Sequence, residues 1–126
     1  MCLEAVVEEL RSLDGRGMAD AELAAHLLDV QRVVDAAAAA QLRVVGRFET
    51  RKLHKVDGAW STGAWLRERT DLSRSEANAL ERHARAIRSD PLLSEALDTM
   101  GAAKVRAVLR HVVFASDDVI PLKSLL

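Results

Sequence analysis

One long stretch without a helix-breaking residue constrains the fold of this 126-residue chain more than any other feature. Neither glycine nor proline occurs between Gly17 and Gly46, and a helical periodicity runs from Asp20 to about Arg51. We therefore predict one long helix. Along it, residues recur at the alternating four- and three-residue spacing of a packed seam. The large apolar members of this seam, which we predict to form an interaction surface, are Leu23, Leu27, Val30, Val34, Val44 and Phe48.

The length of this helix bears on the shape of the molecule. About 30 residues span roughly 45 Å, whereas a compact globule of this chain length is about 36 Å across. We therefore expect either an elongated molecule, or a second subunit or further domain that covers the excess. The seam accordingly has two interpretations: it packs inside the chain's own core, or it joins two copies in a homodimer.

Shorter helices account for most of the remaining chain. Ser73 and Glu76 have the spacing of a capping box, and Asp90 followed by Pro91 is typical of a helix N-terminus. The expected helices cover residues 3–13, 20–51, 62–69, 73–88, 90–101 and 102–114. Only 3% of residues are aromatic and glycine and proline are scarce, which disfavours a β-sandwich or barrel. We predict an all-α fold: an elongated bundle of about six helices around one long helix, with residues 1–115 as one domain and 116–126 as a tail.

The N-terminus and the cysteine content indicate the cellular setting. Cys2 is the only cysteine, so the chain has neither a disulfide framework nor a thiolate zinc site. The first residues lack the charged and apolar regions of a signal peptide, and the longest all-apolar run is too short to cross a bilayer. We therefore expect a cytoplasmic protein without a membrane partner.

Charge is distributed unevenly along the chain, although the formal net charge is only −1. Residues 1–41 carry 3 basic and 8 acidic side chains, whereas residues 42–111 carry 14 basic and 9 acidic ones. An acidic N-terminal part is thus joined to a basic middle, which favours a local anion-binding face over a wholly basic protein.

Residues 63–88 have the layout of a helix-turn-helix: a short helix, a turn and a longer helix. One side of the longer helix carries the candidate nucleic-acid-binding residues Arg74, Asn78, Arg82, Arg85 and Arg88. Arginine binds phosphates and pairs with guanine, and asparagine pairs with adenine, so this face suits double-stranded DNA. Glu81 lies in the same stripe, and the alternative interpretation is a solvated arginine face without a ligand.

Other candidate sites are weaker. We predict that Trp60 and Trp65 are core anchors, with base stacking as the alternative. The histidines are dispersed, and His54 is predicted to lie in a surface loop. No arrangement of residues has the spacing of a metal site, a catalytic triad or a phosphate-binding glycine loop. We therefore expect no metal, no cofactor, no small-molecule substrate and no enzymatic activity of the chain's own.

Two short motifs resemble a bacterial protein family. Residues 58–66, GAWSTGAWL, and residues 70–77, TDLSRSEA, are similar to the family known as domain of unknown function 222, or the 13E12 repeat family. The resemblance extends over about residues 20–111 and includes the long alanine-rich helix. It implies the helical region that precedes an HNH endonuclease domain in such proteins.

The resemblance does not extend to the nuclease itself. No segment of this chain supplies the histidines and asparagine of an HNH site, and residues 114–126 depart from the family pattern. The chain therefore resembles the N-terminal helical portion alone. We expect a non-catalytic module that assists binding of double-stranded DNA. The alternative is a protein-interaction or dimerisation module, joined through the long helix, without nucleic-acid contact.

Overall fold

The computed structural model describes residues 2–102 and 104–109, and all regular structure in this part of the chain is helical. The helices are α1 (Leu3–Ser12), α2 (Asp20–Thr50), α3 (Thr62–Arg69), α4 (Arg74–Ser89) and α5 (Pro91–Met100), with a 3-10 helix at Leu53–Lys55. Residues 102 and 104–109 are also helical. The predicted all-α fold is confirmed. The predicted tail, residues 116–126, lies outside the described residues.

Local capping explains where the shorter helices begin. The Ser73 hydroxyl accepts a hydrogen bond from the Glu76 backbone at 3.1 Å, and the Glu76 carboxylate accepts one from the Ser73 backbone at 2.9 Å. The Asp90 carboxylate likewise accepts from the Leu92 backbone at 2.9 Å, with Pro91 in the first turn. Both predicted caps are confirmed, and they place α4 one residue from α5.

The chain divides into two compact units, Met1–Val33 and Val34–Leu126, with the boundary inside α2. In the first unit, none of residues 2–33 is buried. Leu23 and Leu27 of the predicted seam are 46% and 67% exposed, and Val30 is half-buried. Further exposed apolar side chains in this unit are Leu3, Val7, Leu10, Leu13, Leu28 and Val33.

The second unit contains the hydrophobic core of the described residues. Its buried side chains come from the C-terminal half of α2, from α4 and α5, and from the final helical segment. Those that pack into one cluster are Ala39, Leu42, Leu80, Ile87, Leu93, Leu97, Ala102, Val105 and Leu109. Gly46 of α2 faces α4, and a β-carbon added there would lie 3.8 Å from the Ala84 carbonyl oxygen. Gly46 of α2 thus lies beside Ala84 of α4, at a distance that an added methyl group would turn into an ordinary van der Waals contact.

Of the two interpretations of the α2 seam, packing inside the core is wrong for its exposed members in this unit. Val34 and Val44 are 51% and 66% exposed, and only Phe48 is half-buried. The buried stripe instead follows Leu42 and Val45. It is displaced from the predicted seam by one residue, which is about 100° around the helix axis. The physical reason is that α4 packs beside Gly46, so the side of α2 that carries Ala39, Leu42, Val45 and Gly46 is the buried one.

Candidate nucleic-acid interface

Helix α4 carries the five residues predicted to bind nucleic acid, and its opposite side anchors it in the second unit. That buried side consists of Ala77, Leu80, His83, Ala84 and Ile87. The side of α4 opposite these buried residues faces outward, because side chains half a helical turn apart point in opposite directions. The structure therefore confirms that α4 is amphipathic, but the five predicted residues differ in exposure and in their contacts.

Arg74 and Arg82 are the two members that remain available to a ligand. Both side chains are exposed, and neither forms an ion pair with any residue in the described part of the chain. Arg82 lies opposite the buried stripe and so projects directly outward from α4. Two unpaired guanidinium groups two turns apart on one helix are suited to phosphate contact.

Arg85 is engaged within the protein. Its Nη2 atom donates to Glu49 Oε1 of α2 at 2.5 Å and lies 3.9 Å from Glu81 Oε2. The Glu49 side chain is only 11% exposed, so this ion pair lies at the edge of the core. The charge of Arg85 is thus largely balanced by Glu49, which makes it a weaker candidate for phosphate contact than Arg82, and we assign Arg85 a structural role.

Arg88 and Asn78 also contact neighbouring helices. Arg88 Nη1 donates to the Thr50 hydroxyl at 3.0 Å, so its charge meets a neutral partner. Asn78 of α4 is half-buried and lies against the first turn of α3. A β-carbon added to Gly63 of α3 would lie only 2.5 Å from Asn78 Oδ1. The Asn78 amide is thus packed against α3, whereas Arg88 keeps an uncompensated charge at the edge of α2.

A polar network missed by the sequence analysis holds α2, α3 and α4 together. Glu49 accepts hydrogen bonds from the Thr62 hydroxyl and from Arg85. Glu81 accepts from the Gly63 backbone N–H at 3.2 Å, which satisfies a donor in the first turn of α3. We call Glu49, Thr62, Glu81 and Arg85 the Glu49 network. One signal could have revealed it, since Glu49 follows Leu42 and Val45 at helical spacing on the buried stripe.

The electrostatics of the Glu49 network favour its charged form. Burial acts to raise the pKa of the Glu49 carboxyl group, but hydrogen bonds from Thr62 and Arg85 and the charges of Arg85 and His54 outweigh it and lower that pKa. The same hydrogen bond to Glu49 raises the pKa of Arg85. Both groups are therefore ionised at neutral pH, which makes the pair a stable structural link.

Three other predicted side chains have distinct surroundings. Trp65 is half-buried and packs against Phe48 with ring centroids 4.6 Å apart and ring planes tilted by 47°. Its indole N–H donates to Asp57 Oδ2 at 2.8 Å. Trp60 is 95% exposed, so the prediction that it is a core anchor is wrong. His54 is buried rather than on a surface loop, because the 3-10 helix turns it toward the protein interior.

Metal sites and membrane-spanning helices are both absent from the described residues. Residues 2–102 and 104–109 contain no group of three histidine, cysteine, aspartate or glutamate side chains placed to hold a metal ion. Among the helices of this same part, none combines the length and apolar character needed to span a membrane.

Fewer residues are therefore available to bind a ligand than the sequence motif predicts. Arg74 and Arg82 on α4 are available, and Arg88 contacts the neutral Thr50 hydroxyl. Arg85 is paired with Glu49, and the Asn78 amide is packed against α3. Comparison with models of known families, with curated proteins and with solved structures finds no match for this chain.

Proposed function

We propose that the chain is a non-catalytic helical module that assists binding of double-stranded DNA through the outer side of α4. The observation that carries the proposal is the pair Arg74 and Arg82, exposed and without ion pairs in residues 2–102 and 104–109. An α-helix fits the major groove of DNA, and arginine is the side chain best suited to phosphates and guanine. The buried side of α4 holds this surface rigidly.

The helical arrangement supports the same proposal. Helix α3 ends at Arg69 and α4 begins at Arg74, and the Gly63–Asn78 contact and the Glu81 hydrogen bond join the two helices. In a helix-turn-helix the second helix enters the major groove while the first supports it. Here the supporting contacts leave the Arg82 side of α4 exposed. The resemblance to the helical part of HNH endonuclease-type proteins agrees with this role.

The first prediction concerns Arg82. Replacing it with glutamine removes one exposed cation, so we expect weaker binding to a DNA duplex of about 20 base pairs. The slope of log K against log salt concentration should become shallower by about 0.9, the value for one phosphate contact. Fluorescence anisotropy between about 50 and 200 mM salt measures this slope. Arg11→Gln on α1 is the matched control, since it changes the net charge equally at a side chain of the first unit that is also exposed. Equal effects of the two variants, or no binding by the unaltered chain, would contradict the proposal.

A second candidate function is association with another copy of the chain. The specific observation that favours it is the exposure of large apolar side chains in the first unit. Leu27, for example, is 67% exposed, and none of residues 2–33 is buried. Exposed apolar surface on neighbouring turns commonly marks an interaction site. In this candidate, the N-terminal part of the α2 seam pairs with the same seam of a second copy.

Light scattering tests the second candidate directly. We expect a mass about twice the 13.8 kDa of one chain, because apolar seams associate in pairs. Leu27→Lys places a charge in the seam and should restore the mass of one chain. Leu92→Lys on α5 alters a side chain of similar exposure, 64%, and should leave the mass doubled. A single-chain mass for the unaltered protein at high concentration would exclude this function.

A further inference from the structure

A cleft of about 390 Å³ lies between α2, α4 and α5 within the second unit. Three arginines line it: Arg43 and Arg47 from α2, and Arg88 from α4. Neither Arg43 nor Arg47 belongs to the predicted nucleic-acid-binding set. The cleft thus collects cationic side chains from two helices that are distant in sequence.

The charges that line the cleft are incompletely balanced. Arg43 pairs with Asp98, whose Oδ1 atom lies 2.5 Å from Arg43 Nη2. Arg88 donates to the neutral Thr50 hydroxyl. Arg47 is exposed and forms no ion pair with the part of the chain that the structure describes. Two guanidinium groups therefore face the cleft without a carboxylate partner.

Polar groups and shape complete the site. The Ser94 hydroxyl lines the same cleft, and a hydroxyl can donate to an anionic oxygen. The Thr50 hydroxyl also lines it and donates to the Gly46 carbonyl oxygen at 2.8 Å. Arg43 and Arg47 are one helical turn apart, about 6 Å along α2, so both can reach one bound group or two adjacent ones. Ala84 and Leu97 form part of the apolar floor, and such a low-dielectric surface strengthens an ionic contact.

We infer that this cleft binds a phosphate group between Arg47 and Arg88. Planar guanidinium groups pair with phosphate oxygens through two parallel hydrogen bonds, which a single ammonium group cannot do. The inference rests on the proposed function for the source of the phosphate, which is the DNA backbone beside the major groove that α4 enters. Arg88 joins the two surfaces, because it projects from α4 into the cleft.

The test uses two probes with the whole chain, inorganic phosphate and a duplex of about 20 base pairs. In the first arm, phosphate should shift the backbone NMR signals of residues around Arg47 and Arg88. The variant with both Arg47→Gln and Arg88→Gln should lose these shifts. Arg51→Gln, which changes an exposed arginine of the adjoining turn outside this cleft, should keep them.

In the second arm, the double variant should reduce the salt slope of duplex binding by about 0.9, since one phosphate is no longer neutralised. Undiminished duplex binding by the double variant, still sensitive to Arg82→Gln, would overturn the inference and leave the proposed function standing. Phosphate binding without any duplex binding would support the cleft as a site for free phosphate and overturn the proposed function. Binding of neither probe would overturn both.

Discussion

Replacing Leu42 with alanine is expected to destabilise the second unit by about 2–5 kcal/mol, the usual cost of truncating a buried leucine. Leu42 is 2% exposed and belongs to the cluster that joins α2, α4 and α5. Removal of its terminal carbons leaves a cavity that helices tied by caps and ion pairs can fill only partly. Urea denaturation monitored by Trp65 fluorescence measures the loss, because Trp65 is half-buried in the same unit.

The matched control for this prediction is Val44→Ala, two residues away on α2. Val44 is 66% exposed, so its truncation should change the free energy of unfolding by no more than about 0.5 kcal/mol. The comparison distinguishes the two possible buried sides of α2. A larger loss for Val44→Ala than for Leu42→Ala would mean that the regular seam, and not the Leu42 stripe, forms the core.

The second large effect concerns Glu49. Glu49→Gln keeps the size of the side chain but removes its charge. Arg85 then keeps only the longer ionic contact with Glu81, at 3.9 Å, and its hydrogen bond to residue 49 is weakened. We expect a loss of about 1–3 kcal/mol at neutral pH, the range for leaving a largely buried polar group imperfectly paired. Glu95→Gln makes the same chemical change at an exposed position of α5 and should have little effect.

The effect of Glu49→Gln should depend on pH in a defined direction. The pKa of Glu49 is lowered in the folded chain, so its stabilisation is complete above the ordinary carboxyl pKa of about 4.3. It is lost as the pH falls through the lower folded pKa, because the carboxylate must then be protonated. Denaturation curves between about pH 7 and pH 3 should therefore converge for the two proteins. A constant gap over this range would show that the charge of Glu49 does not stabilise the fold.

Much of the secondary structure was predictable because its determinants are local. The Ser73–Glu76 capping box and the Asp90–Pro91 start depend on residues a few positions apart. The buried side of α4 was likewise evident from the spacing of Ala77, Leu80 and Ile87. Local spacing was sufficient wherever one helix presented only one apolar side.

The buried side of α2 could not be predicted in the same way. This helix is apolar on more than one side, so periodicity allows two solutions, and the choice depends on where α4 contacts it near Gly46. The pairing of Arg85 with Glu49 was hidden for a related reason. The two residues are 36 positions apart, and sequence spacing along α4 alone makes Arg85 equivalent to Arg82.

The contact at Gly46 has a consequence for the arginines beside it. Gly46 lines the proposed phosphate cleft together with Arg47 and Arg88, and it lies beside Ala84 of α4. A branched side chain such as isoleucine at position 46 needs space between α2 and α4, so we expect it to separate the two guanidinium groups. The affinity of the proposed cleft for an anion should therefore depend on an uncharged position as well as on its arginines.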